Sequence, residues 1–193
     1  MSHSRRQTGD LLVDDFRSTR LQSLLGTSWR GVSDRVMGGI SQESLTHEVI
    51  DGRPCLHLTG EVSLENNGGF IQAALDLAEG QRTLDASDLA GVRIVVSGNS
   101  ETYSVHLRTP DNVRSWQSYR AQFVAKDCWC EVRLPFRTFQ PHRLELPLDT
   151  GHLRRIGLVA IGRAFQADLA VAELGFYCSS EAGEAGDGSQ ERP

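Results

Sequence analysis

The sequence has no long apolar run: its longest aliphatic patches, Ile94-Val95-Val96 and Leu158-Val159-Ala160-Ile161, fall far short of the roughly 18 apolar residues a spanning helix needs. No insertion into a membrane is expected. The opening Met1 to Asp10, MSHSRRQTGD, lacks the apolar core of about seven or more residues that a secretory signal carries, and an acid already stands at Asp10. A soluble, cytoplasmic protein is the expectation. There is no surplus of positive charge either, since 20 lysines and arginines face 25 acids for a net charge of −5, so no general pull toward nucleic-acid phosphates exists. Cysteine is scarce. Cys55, Cys128, Cys130 and Cys178 are expected as free thiols, and the Cys128-Trp129-Cys130 step is too tight and too solitary for a zinc site, which leaves buried packing as its expected role.

Helical periodicity is also nearly missing. Only Ser18 to Leu25, stopped by Gly26, has the leucine spacing of a short helix. What is present instead is a period of two. Leu56, Leu58, Val62 and Leu64 alternate with His57, Thr59, Glu61 and Ser63, so His57 is placed on a wet face. Tyr103, Val105 and Leu107 alternate with Ser104, His106 and Arg108, and Cys128 to Phe136 repeats the pattern. Further strands are expected at Leu11 to Val13, Trp29 to Val32, Phe70 to Leu75, Val92 to Ser97, Gln117 to Ala125, Arg155 to Ile161 and Leu174 to Tyr177. Ten or so short strands separated by turn signals, such as Asp51-Gly52 and Ser97-Gly98-Asn99, predict an all-β sandwich or barrel and exclude a doubly wound nucleotide-binding fold. The expected organisation is one β-sandwich domain over 10–178, with a disordered arm over 1–9 and a disordered acidic tail over 179–193 that holds Glu181, Glu184, Asp187 and Glu191.

Catalytic signatures are absent: there is no Gly-x-Ser-x-Gly elbow, no His-Glu-x-x-His helix and no Asp-x-Asp calcium loop. Gly38-Gly39 and Gly68-Gly69 lead into no long helix and are read as turns, or as places where strands approach closely. No cofactor and no catalytic residue is therefore expected, and the reading is a binding module. One surface stands out. If 103–109, 116–124 and 128–134 share a sheet, their outward faces assemble His106 and Arg108, then Trp116, Arg120 and Gln122, then Trp129, Glu131 and Arg133. Such a face suits a sugar ring or a partner polypeptide. The competing reading is that consecutive strands change sheets and the tryptophans only cover their neighbours.

Three stretches carry a family pattern: Trp29 to Ser41 with Ser33-Asp34-Arg35-Val36-Met37-Gly38-Gly39 inside it, Gly60 to Phe70 with Glu65-Asn66-Asn67-Gly68-Gly69-Phe70, and Trp129 through Leu134-Pro135-Phe136 with Phe139. Together they resemble the NADH:ubiquinone oxidoreductase complex I intermediate-associated protein 30 family, over a span from Asp14-Asp15-Phe16 to about Phe176. The resemblance implies a galactose-binding-like jelly-roll sandwich, similar to carbohydrate-binding modules. It also implies protein partners: the best-known members of the family help to assemble respiratory complex I without being catalytic subunits. A glycan ligand is the alternative. On the matching positions, the resemblance singles out Trp29, Asp34, Arg35, Met37, Glu65, Asn66 and Asn67. Two roles are open for them: binding a polar ligand or partner segment at one edge of the sandwich, or fixing their own loops, with Asp34 paired to Arg35, the two asparagines bonded within their turn and Trp29 packed beneath.

Overall fold

A computed structural model describes residues 9–179. The expected disordered arms, 1–9 and 179–193, lie outside the described residues except for Gly9 and Ser179. Twelve strands form two antiparallel sheets. The first sheet runs β3 (Gln42–Ile50), β4 (Arg53–Val62), β12 (Phe165–Tyr177), β6 (Gly91–Gly98), β9 (Cys130–Pro135), with β1 (Leu11–Asp14) also paired to β12. The second runs β10 (Gln140–His142), β8 (Ser118–Ala125), β7 (Glu101–Arg108), β11 (Arg155–Ile161), β5 (Phe70–Asp76), β2 (Arg30–Ser33).

Period-two alternation makes this possible, because each strand turns one side chain in two toward the facing sheet. The second sheet sends Tyr103, Val105, Leu107, Tyr119, Phe123, Ile71, Leu75, Ile156 and Leu158 inward, against Leu56, Leu58, Ile94, Val96, Leu169 and Phe176 of the first. Tyr103 also ties the layers through its hydroxyl, which donates to Asn99 Oδ1 at 2.7 Å and accepts from the Asp168 backbone N–H at 2.8 Å. Burial pushes that phenol up to about 12.

Several expectations need correction. Residues 18–25 form no helix: Ser23 N–H bonds back to Thr27 O at 2.8 Å in a tight turn, and Leu24 is 59% exposed. Three leucines, Leu21, Leu24 and Leu25, on a segment this short are too little to offset the entropy of nucleating a helix. Strand β3 escapes the alternation rule because its apolar residues are few, as suits an edge strand. Strand β12 begins nine residues before Leu174, at Phe165; Ala167 takes one of its inward positions beside Leu169 and Val171, and Ala170 on the other face blurs the alternation. The segment 128–134 joins β6 in the first sheet, which places Trp129, Glu131 and Arg133 on the opposite side of the sandwich from Trp116. Cys128 is exposed, against the expectation of buried packing, whereas Cys130 is half-buried and packs against the core. His57 sits on the outer face as expected, half-buried between Glu48 (3.1 Å) and Asp168 (2.8 Å).

Trp29 is a core residue. It is buried against Phe16, with ring centroids 5.8 Å apart, and its Nε1–H donates to Asp14 Oδ2 at 2.8 Å, while Asp14 Oδ1 accepts from the Phe16 N–H. Burial pushes the Asp14 carboxyl up, and the bonds from Phe16 and Trp29 pull the other way. Trp29→Phe keeps much of the packing but removes a donor from a buried carboxylate, so denaturant unfolding is expected to show a loss of about 1–3 kcal/mol; a loss within error of zero would mean that the indole bond does not contribute.

Candidate functional site

The family-pattern residues meet around one buried carboxylate. Asp34 opens a single 3-10 turn, Asp34–Met37, and is 0% exposed. Its Oδ1 accepts from the Ser41 N–H at 3.0 Å; its Oδ2 accepts from the Ser41 hydroxyl, the Gly69 N–H at 2.5 Å and the Phe70 N–H at 3.3 Å. Burial alone would push this carboxyl up, but the bonds from Ser41, Gly69 and Phe70 outweigh it and hold the group below the usual carboxylate range. The glycines complete the arrangement. A β-carbon at Gly39 or Gly68 would overlap the Asp34 carboxylate, and Gly38 and Gly69 take positive φ of 91° and 132°. The two glycine pairs are thus both turns and close approaches.

Arg35 does not pair with Asp34; it is exposed and, among the described residues, forms no ion pair. Glu65 and Asn66 are exposed in the 3-10 turn Glu65–Asn67, with Asn66 in the left-handed region at φ 55° and Asn67 completing the turn. The carboxylate binds loop 34–41 to loop 65–70, and it leaves Val36 and Met37 exposed beside the second sheet.

There they form one wall of a groove of about 450 Å³. Loop 109–117 forms the other wall with Trp116, which is 50% exposed. Asn112 props that loop through its side-chain carbonyl, which accepts from the Thr109 N–H at 2.7 Å, while the Arg108 guanidinium donates to the carbonyls of Asn112 and Arg114 at 3.1 and 2.9 Å. The floor is the outer face of the second sheet, and the strand register sets its rows. Gln140, Arg120, His106, Gly157, Ala74 and Arg30 lie side by side across six strands. Ser104, Val159, Gln72 and Val32 form the row on one side of it, and Arg108, Arg155 and Asp76 the row on the other. Gly157 and Ala74 hollow the middle, and the Gln72 amide lies over Gly157, where a β-carbon would meet it at 2.8 Å.

The groove is polar at its base. His106 is 8% exposed, and its Nε2 is buried without a hydrogen-bond partner. Burial first, then Arg120 and His142 nearby, push the imidazole down to about 3, so it is neutral at physiological pH. Burial and like-charged neighbours also pull down Arg108, beside Arg155 and Arg154, and Arg120, beside Arg143. Asp76 goes the other way: burial would raise it, but Arg155 at 2.7 Å and Arg30 at 2.9 Å hold it low. Of the residues singled out from sequence, the groove gathers Met37, His106, Arg108, Trp116 and Arg120. Asp34 supports it from beneath its wall, Trp29 lies in the core, and Trp129 lies on the other sheet beneath the Arg53 guanidinium, 5.7 Å from its ring. Gln72, Arg155 and Gly157 were not singled out, because only strand register reveals that they converge, and Val36 joins them through the 3-10 turn that the Asp34 carboxylate holds. No three histidine, cysteine or acidic side chains form a metal cluster among the described residues.

Comparison with known proteins agrees with this architecture. The model of the family described as Complex I intermediate-associated protein 30 matches residues 15–171. No curated protein matches the chain. Among solved structures, the chain is similar to the family 11 carbohydrate-binding module of a cellulosomal cellulase of Clostridium thermocellum, with a TM-score of 0.68 at 12% identity over 90% of this chain and 96% of the module. A family 11 module from Clostridium thermocellum in complex with a β-1,3-1,4-mixed-linked tetrasaccharide gives 0.66 at 11% identity, over 90% and 98%. The family 30 module of a cellulosomal cellulase of the same organism gives 0.60 at 14% identity, over 90% and 97%. At such identities the likeness establishes the fold, a jelly-roll β-sandwich.

Asp34→Asn is expected to destabilise the protein by about 3 kcal/mol, because one acceptor is lost and an amide N–H₂ is turned toward buried donors. The pH dependence has a fixed sign. A carboxyl whose folded value lies below its ordinary 3.8 stabilises the fold above that pH and loses its contribution as the pH falls through the folded value. The variant should therefore unfold with a flatter slope than the wild type below about pH 4; identical slopes would remove Asp34 from the account.

Proposed function

We propose, from the premise that this chain belongs to the Complex I intermediate-associated protein 30 family, that it is a non-catalytic binding module. In this reading it holds a segment of a partner polypeptide in the groove of the second sheet during assembly of NADH:ubiquinone oxidoreductase. The observation that carries it is the groove itself: an exposed indole, Trp116, and an exposed Val36-Met37 wall border a floor on which Val32, Val159 and Ile161 lie beside Gln72, His106 and Arg120. An exposed tryptophan beside methionine is the composition of a protein-recognition surface, and the wall is held by the most specific part of the family pattern. That coupling favours a role for the groove in what family members share.

A second reading has its own support. The same fold in a carbohydrate-binding module accommodates a β-1,3-1,4-mixed-linked tetrasaccharide, and an aromatic ring above amide and guanidinium donors suits a sugar. The two readings separate in one pair of measurements. Under the partner reading, tagged protein co-isolates subunits of the oxidoreductase under mild conditions, and Trp116→Ala reduces recovery about tenfold while the thermal midpoint is unchanged, since an exposed side chain contributes little to stability. A glycan array that gives a Trp116-dependent signal, together with no co-isolated subunit, would replace the partner reading with the carbohydrate one.

A further inference from the structure

The groove carries charge of one sign only. Three arginines, Arg108, Arg120 and Arg155, line it and no carboxylate does, although the protein as a whole has a net charge of −5. Arg155 is neutralised by Asp76 at 2.7 Å, and that carboxylate also serves Arg30. The other two are not neutralised. Arg108 donates to backbone carbonyls of its own loop, and the Arg120 Nε–H donates to the Ser118 hydroxyl at 2.9 Å. Among the described residues, neither lies within ion-pair distance of any acid.

Half-buried guanidinium groups without a counter-charge are costly to maintain, and so is a buried ring nitrogen without a partner. All three deficits occur at one place. Arg120 on β8 stands directly opposite His106 on β7, and Arg108 lies two residues further along β7 on the same face. Facing positions on neighbouring strands are about 5 Å apart and same-face positions along a strand about 7 Å, so one group of carboxylate size can meet all three. His106 Nε2 supplies an N–H in one neutral tautomer, Arg120 keeps both of its Nη groups for a paired contact with a carboxylate, and Arg108, whose Nη2 is taken by the carbonyls of Asn112 and Arg114, adds a single charged donor. A neutral ligand would leave both charges uncompensated.

We infer that the groove selects an acidic segment of its partner polypeptide, seating an Asp or Glu carboxylate among Arg108, Arg120 and His106 while an adjacent apolar side chain packs between Trp116 and Met37. This inference rests on the partner reading above and deepens it with charge. The acidic surface elsewhere repels such a segment, so the groove is the place where it is accepted.

The test uses the full chain and fluorescein-labelled decapeptides of alternating Glu and Leu, with Gln-Leu and Lys-Leu versions as controls, followed by fluorescence anisotropy. The Glu-Leu peptide is expected to bind about tenfold or more tightly than the Gln-Leu peptide, to weaken as salt is raised, and to lose its advantage in Arg120→Gln, while the Lys-Leu peptide fails to bind. His106→Leu should weaken the Glu-Leu peptide selectively. Arg108→Gln provides an independent variant, and Arg120→Lys, which keeps the charge without the fork, should recover part of the affinity. Equal binding of the Glu-Leu and Gln-Leu peptides, with Trp116→Ala abolishing both, would overturn the charge inference and leave the partner reading intact. Failure of every peptide, with a mixed-linked glucan tetrasaccharide bound in a Trp116-dependent way, would overturn both.

Discussion

One buried carboxylate holds the wall of the groove in place. Asp34 is fully buried and, among the described residues, has no counter-ion; four donors from residues 41, 69 and 70 compensate it. Such a group is stable only while every donor stays in position, because losing one leaves a charge in a poorly polarisable environment. The consequence is mechanical. Two loops that would otherwise move independently are joined at a point next to the outer face of the second sheet, and Val36 and Met37 are carried with them. Glycine is required at 39 and 68 because any β-carbon there would occupy the carboxylate's space. A motif that reads in sequence like a ligand-binding loop is thus the foundation of the groove's wall, and under the proposed function its neighbours Val36 and Met37 would make the contact.

The floor follows from a different constraint. In a sandwich the outer face of each sheet receives every second residue, and antiparallel register decides which of them become neighbours. On this face, register puts two small residues, Gly157 and Ala74, beside His106 and Arg120, which opens a hollow next to the strongest hydrogen-bonding groups of the sheet. The core beneath is ordinary close-packed aliphatic and aromatic material, so the groove rests on a rigid base. That combination of rigid floor and fixed wall limits the ordering cost of binding, which is where interfaces of modest size gain affinity.

Much of the architecture was legible in the chain. Alternation in Leu56 to Leu64, Tyr103 to Arg108 and Cys128 to Phe136 identified strands because apolar and polar side chains fall on opposite faces, although on β7 the polar face, with Ser104 and His106, is itself buried; the family pattern added the jelly-roll form, which the family match and the similar solved structures support. Strand β3 was not legible, since an edge strand needs few apolar residues, and the early part of β12 was hidden by its alanines. At the site, His106, Arg108, Trp116 and Arg120 were recognisable as one outward face because three of them lie in strands and the fourth adjoins one. Trp129 was grouped with them although β9 crosses to the other sheet, a step that no local pattern encodes. The role of Asp34 was out of reach for the same reason: its partners are 7, 35 and 36 residues away, and only the fold brings them together.

The account stands most directly on the claim that the Asp34 junction belongs to the rigid body of the protein. Native-state hydrogen exchange of the Ser41 and Gly69 amides, compared with that of Leu158 in the centre of β11, measures this residue by residue. The prediction is that both junction amides exchange only through global unfolding, with the same free energy as Leu158, and that in Asp34→Asn they exchange through local opening while Leu158 remains protected relative to them. Exchange of Ser41 and Gly69 orders of magnitude faster than Leu158 in the wild-type protein would mean that the wall of the groove is not fixed, and the account would fail there.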